Sequence, residues 1–399
     1  GGGGRVILVT NLDDSGPGSF RAACEAKGPR MVIFRVSGTI TLRQAITVTQ
    51  PYLTIAGQSA PGDGICLRNA ALGIATHDVV VRHLRSRLGD ESGRESDCLD
   101  LLGGARDCVL DHCSATWSID ECLSLSGDVQ NCTIQWCLIG EALNQSKHAK
   151  GKHGYGSLAR ANGPITWHHN LWIHNDARNP RLGDNYGRGG SPRFDVRSNV
   201  IYNYGGTASG LTQGKFEANY VGNIIRPGPS SRARAPITVG DKSDLRFFIR
   251  DNIFEGNAAL TADNTKFFQP DEFCSQVHLV DQPFAAPAVQ GETAPATLER
   301  VLAEVGASRP RRDPVDSRLV AHVRSRTGAI IDSQQQVGGW PQLRSGPAPV
   351  DRDEDGMPDD WEQRHGLNPR DPADGAKRAD GVGYTNVEVY LNELAARLP

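Results

Sequence analysis

The chain has 399 residues, 38% of them apolar, which is enough for one large core with an appendage or for two ordinary domains. A net charge of −3 lacks the basic surplus of a nucleic-acid surface, and no run of 18 apolar residues suggests a membrane span. Forty-five glycines beside 6% aromatics point to a turn-rich β architecture rather than a helical bundle. The chain starts at "GGGGRVILVT" without an initiator Met, and a leader removed beforehand is the expectation.

Taken along the chain, "SDCLDLL" (96–102) is followed by "DECLSLS" (120–126). Cys98, Cys108 and Cys113 recur 24 residues later as Cys122, Cys132 and Cys137, and Leu99 and Leu101 recur as Leu123 and Leu125. A period in the twenties, built of short β-rich runs broken by turns, predicts a solenoid in which each repeat is one coil. Further coils follow at 165–172, 194–203, 219–226 and 247–257, and they put Cys113, Cys137, Asn170, Asn199, Asn223 and Asn252 at one recurring position. Such a column predicts a ladder of amide hydrogen bonds from rung to rung. The nine cysteines form no closely spaced CxxC pairs; buried inward thiols are the expectation, with disulfides between rungs as the alternative. The fold class is all-β, a right-handed parallel β-helix over 1–283.

The Pro- and Ala-rich stretch at 282–296 marks the exit from the solenoid, and a short helix is expected at 297–307. Residues 284–347 are expected to wrap back along the coils and protect their strand edges, and 348–399 form a separate tail.

Two acidic constellations stand out. Stacking of coils brings Asp97 under Asp120 and Glu121, with Glu95 beside them, and four crowded carboxylates call for a hard cation such as calcium. The second is "DRDEDGMPDDWE" (351–362), whose spacing matches an EF-hand calcium loop. Asp351, Asp353, Asp355, Asp359 and Glu362 would supply side-chain oxygens and Met357 its carbonyl, with Gly356 at the sharp turn. No preceding helix is evident, so the loop reads as a calcium staple for stability. Solvated turn acids are the plainer alternative in both places.

Between the two lie basic loops holding Lys147, Lys150, Lys152, Arg178 and Arg181. Cations beside a calcium site suit a polyanionic carboxylate substrate that bridges metal and protein.

The segments "VTNLDDSGPGSFR" (9–21), "VLDHCS" (109–114), "KHGYGS" (152–157) and "RNPR" (178–181) resemble landmarks of the pectate lyases of polysaccharide lyase family one. The resemblance covers roughly residues 5–280, and the tail resembles extensions found on such lyases. It implies a secreted, monomeric, calcium-dependent enzyme that cleaves polygalacturonate by β-elimination. Arg178 would take the proton from C5 of a galacturonate, Lys152 and Arg181 would hold carboxylates, and Glu95, Asp97 and Asp120 would be calcium ligands. Two departures stand against the pattern: a fourth calcium acid falls on Ser124, with Glu121 adjacent, and a second arginine falls on Gly183, with Arg181 nearby. The rival readings are a polygalacturonase-like hydrolase, a pectin lyase, and a non-catalytic glycan-binding or adhesin β-helix.

Overall fold

The computed structural model describes residues 1–232, 235–379, 381 and 383–396; of the expected tail, 380, 382 and 397–399 lie outside the described residues. Among the described residues three parallel sheets of eleven, eight and nine strands form a β-helix, the central coils adding one strand to each sheet. The 24-residue repeat is the coil: Leu99 pairs with Leu123 and Leu101 with Leu125 in the eight-stranded sheet, and Cys108 pairs with Cys132 in the eleven-stranded one. Alternation along each strand sends these leucines inward, where they are fully or almost fully buried.

The asparagine column forms as expected. Asn170, Asn199 and Asn223 each donate from their side chain to the carboxamide oxygen of the next rung, at 3.0, 2.9 and 2.9 Å, and Asn252 extends the series to Asn264 at 3.1 Å. On the other side Asn170 accepts the backbone N–H of Cys137 at 2.9 Å. Each amide thereby satisfies donors and acceptors that burial would otherwise strand. All nine cysteines are free thiols and eight are buried, as small apolar fillers of narrow coils.

Both open ends of the solenoid are covered. Helix α1 (Phe20–Glu25) buries Phe20, Ala23 and Cys24 at the first coils. Helix α2 (Ala258–Ala262) and the following 3-10 turn, with Phe267 and Phe268 inside, close the last ones.

The segment after 283 does run back along the coils, over the outer face of the nine-stranded sheet, from Asn219 at Phe284 to Asp63 at Arg344. It carries two helices: α3 (Ala294–Glu304), which starts three residues before the expected 297, and α4 (Pro314–Ser325), which was not expected. Asp313 caps α4 and also pairs with Arg87 at 2.6 Å, while Asp316 binds Arg87 at 2.7 Å and Ser114 at 2.5 Å. Further along, Arg318 grips Glu141 at 2.6 and 2.8 Å.

The tail has helices α5 (Asp359–Arg364) and α6 (Asn386–Ala396) and its own small core. Met357, Trp361, Val387, Tyr390 and Leu391 pack on Met31, Ile33 and Ala56 of the eleven-stranded sheet. Among the described residues no helix is long and apolar enough to cross a membrane.

Candidate active site and metal centres

The eight-stranded sheet carries the candidate residues on and beside its outward face. Its outward row runs Thr47, Gly73, Asp100 and Ser124 on successive coils, then Leu158, Arg181, Gly210 and Thr238. Acid therefore sits at one stretch of this row and a cation at the next.

At the acidic stretch, Asp97, Asp120 and Glu121 have oxygens within 4.8 Å of one another. Asp97 accepts the backbone N–H of Glu121 at 2.9 Å, fixing the two coils against each other. Glu95 stands at the rim, accepting from the Ala149 N–H at 2.6 Å, with the His148 ring nitrogen 3.9 Å away. Burial pushes the Asp97 carboxyl well above the ordinary carboxylate range, with the Asp100 carboxyl adding to it. Burial likewise raises Asp100 to about 6. Asp120 differs: burial pushes it up, but His153 at 2.7 Å, with His148 behind, outweighs this and holds it low. Such crowding of hard oxygens is what a divalent cation relieves.

Sequence reasoning overlooks several members of this cluster. Asp100 lies directly beneath Ser124, so the acid missing at 124 has a counterpart one coil below. His148 and His153 stack at 3.9 Å and both face Asp120, and Tyr155 packs edge-on against His153 at 4.3 Å. The signal for Asp100 was the repeat itself, since Asp100 and Ser124 are 24 apart.

Arg178 opens the basic stretch with a left-handed backbone, φ 61°. Its guanidinium lies 4.0 Å over the Tyr155 ring and is ion-paired with Glu121. Burial, with Arg181 adding like charge, lowers its proton affinity to about 10. Arg181 begins the strand Arg181–Asp184 of that sheet, and burial followed by repulsion from Arg160 lowers it too. Lys152 lines a cleft of about 750 Å³ with Tyr155, Asp176 and Arg232. The chain thus sets the arginine Arg178 directly against the acid cluster through Glu121, with a second arginine, Arg181, on the next stretch of the sheet.

In the tail, seven buried carboxylate oxygens have no hydrogen-bond partner among the described residues: Asp351 Oδ1, both of Asp353, Asp355 Oδ2, both of Glu362, and Asp374 Oδ1. Burial raises Asp351 to about 6, Asp355 to about 7 and Glu362 to about 8. Gly356, φ 93°, makes the turn, and any side chain there would run into Ile33. Met357 donates its N–H to Asp355 at 3.0 Å. Asp359 is engaged elsewhere, accepting from the Arg352 N–H at 2.9 Å and guanidinium at 2.8 Å. Asp374, which lies past the end of the 351–362 motif, joins Asp355 and Glu362 instead. Orphaned, buried, all-oxygen donors fit a calcium ion.

No protein-family model matches the chain. Probable pectate lyase C of Aspergillus flavus is 34% identical over 399 residues, covering 98% of this chain and 90% of the relative. That of Aspergillus terreus has the same identity and coverage. Among solved structures, a pectate lyase from Bacillus sp. N165 in complex with trigalacturonate shares the fold, with a TM-score of 0.55 at 13% identity, over 77% of this chain and 94% of that one. With a third of its residues shared along nearly its entire length, the chain belongs to the pectate lyase family.

Proposed function

We propose that this chain cleaves polygalacturonate by calcium-assisted β-elimination, leaving 4,5-unsaturated oligogalacturonates, with Arg178 as the base. The observation that carries this reading is Arg178 itself: a partly buried guanidinium ion-paired to the acid cluster, with proton affinity lowered to about 10. Arginine is ordinarily protonated throughout the working range, so a base role needs burial and neighbouring positive charge, and both are present here.

In this reading Lys152 and Arg181 hold substrate carboxylates and so fix the sugar that presents C5–H to Arg178. Arg178 takes that proton, the electron pair forms the C4–C5 double bond, and the C4–O bond breaks. The departing oxygen takes a proton from water, and Arg178 returns its own to solvent. Glu95, Asp97, Asp100, Asp120 and Glu121 fit a calcium ion, which when bound draws charge from the substrate carboxylate and eases loss of the neighbouring proton. A second ion, held by Asp351, Asp353, Asp355, Glu362 and Asp374, has a structural role and staples 348–399 to the solenoid over 1–283. The reading includes secretion and action as a monomer, since a polysaccharide of this kind is met outside the cell.

A hydrolase needs two carboxyls set apart around a water, by about 6.5–9.5 Å when inverting. The oxygens of Asp97 and Asp120 lie within 4.8 Å, which disfavours an inverting hydrolase. A pectin lyase has no use for the acid cluster. Polygalacturonate supplied with calcium or with chelator, followed by ultraviolet absorbance of the unsaturated product, tests the reading. Absorbance should grow with calcium and stop with chelator; chain shortening without absorbance would mean hydrolysis, and binding without either a non-catalytic module.

A further inference from the structure

The loop after the strand Arg181–Asp184 carries Tyr186, a large exposed side chain with 51% of its surface open to solvent. Its backbone holds the left-handed conformation, φ 54°, which non-glycine residues adopt at some cost. Directly against one face of its ring lies Arg160, the guanidinium carbon 4.1 Å from the ring centroid.

Arg160 is itself almost fully buried, 6% exposed. It reaches this position from the neighbouring strand, donating to the carbonyls of Asp184 and Gln213 at 3.2 Å each, with the Asp184 carboxylate 3.6 Å away. Gly183 permits the crossing. It stands opposite Arg160 in the sheet, and a Cβ at 183 would lie 3.0 Å from Nη1 and 3.1 Å from Cδ of Arg160. A larger residue at 183 would collide first with Cγ2 of Thr212, and would crowd Arg160 as well.

A planar cation held by two carbonyls and a carboxylate fixes one face of the Tyr186 ring and leaves the other to solvent. Arg178 precedes the strand Arg181–Asp184 and Tyr186 follows it, so the two flank that strand, whose first residue is Arg181. An amphipathic ring, rigidly held beside cations, matches a uronate sugar: the apolar C–H face of the pyranose meets the aromatic face, and the carboxylate turns to the arginine.

We propose that Tyr186 is the aromatic wall of a sugar subsite, stacking on a galacturonate ring held beside Arg181, and that Arg160 is its positioning residue. This rests on the polygalacturonate reading above. The stack is made in the bound substrate and in the transition state alike, so it acts on KM rather than on kcat.

Hexagalacturonate is the probe, with Kd measured by calorimetry and turnover in the ultraviolet, at saturating calcium, alongside the Tm of every variant. Tyr186→Ala is expected to weaken Kd and raise KM about tenfold, with kcat within about threefold and Tm unchanged. Tyr186→Phe and Tyr186→Trp keep the ring and should stay within about twofold of wild type. Arg160→Met should share the KM loss of Tyr186→Ala, and adding it to Tyr186→Ala should cost nothing further. The proposal is overturned if Tyr186→Ala binds hexagalacturonate within twofold of wild type. It is equally overturned if Tyr186→Phe is as impaired as Tyr186→Ala, which would make the hydroxyl the contact. Wild type that binds hexagalacturonate without forming unsaturated product would defeat the lyase reading alone, because the Kd series still decides the subsite; wild type that does not bind it overturns both.

Discussion

Glu121 and Arg178 form an ion pair across two coils, so one carboxylate belongs both to the acid cluster and to the arginine proposed as base. A cation that draws Glu121 toward Asp97 and Asp120 loosens its hold on Arg178. The two halves of the site are coupled through this one side chain.

Glu121→Gln therefore removes a charged ligand without removing bulk. The calcium concentration needed for half-maximal turnover is expected to rise about tenfold, with activity largely regained at saturation. A calcium titration of kcat/KM measures this, and an unshifted curve would take Glu121 out of the metal set.

Arg178→Lys keeps positive charge but loses the planar group that lies on Tyr155 at 4.0 Å. We expect kcat to fall at least 100-fold with hexagalacturonate Kd and Tm nearly unchanged. A kcat within tenfold of wild type would assign the proton transfer to another residue.

The pH–rate profile reports the same residue. With Arg178 near 10, below its ordinary value because of burial and Arg181, the neutral fraction grows about tenfold per pH unit on the way up. kcat/KM at saturating calcium should climb from pH 7 toward about 10. A maximum at or below neutrality would instead indicate a carboxylate or histidine base.

Chelation should destabilise the tail in a pH-dependent way. Without calcium, Asp351, Asp355 and Glu362 keep their protons up to about 6, 7 and 8 in the folded chain, because burial raises them. In the unfolded chain such groups let go near 4. Between these limits the folded form holds more protons, so its stability falls as pH rises. Thermal melts in chelator should show Tm dropping from pH 5 to 8, and calcium should abolish the drop. Asp355→Ala should lower Tm in calcium while leaving kcat near wild type; lost activity at unchanged Tm would give the tail a catalytic part.

The solenoid was legible because its evidence repeats: the same spacing that aligns Cys108 with Cys132 is the register of two neighbouring strands. The asparagine column was legible for the same reason. Asp100 was not, although it lies in the first repeat, because ligand spacing is counted along the chain whereas the cluster is assembled across coils, where Asp100 and Ser124 are neighbours in the outward row. Asp374 escaped for a related reason: a turn beyond α5 returns it to Glu362, past the end of any contiguous loop pattern. Helix α4 does carry a local signal, with Asp313 and Pro314 at its start and Val315, Leu319 and Val323 buried on one face. That signal is masked in a segment whose Pro and Ala content reads as an extended wrap.

The tail sits on the first coils of the solenoid rather than the last. Gln58 donates to the carbonyl of Leu391 at 3.4 Å, a contact that spans 333 residues of chain. During synthesis, at ~5–20 residues per second, the apolar face of Met31, Ile33 and Ala56 therefore waits roughly 20–70 s for its cover. The N-terminal coils emerge first and are sheltered last, so a truncated translation product ending before residue 348 should be a sticky one, prone to clump through its oldest part.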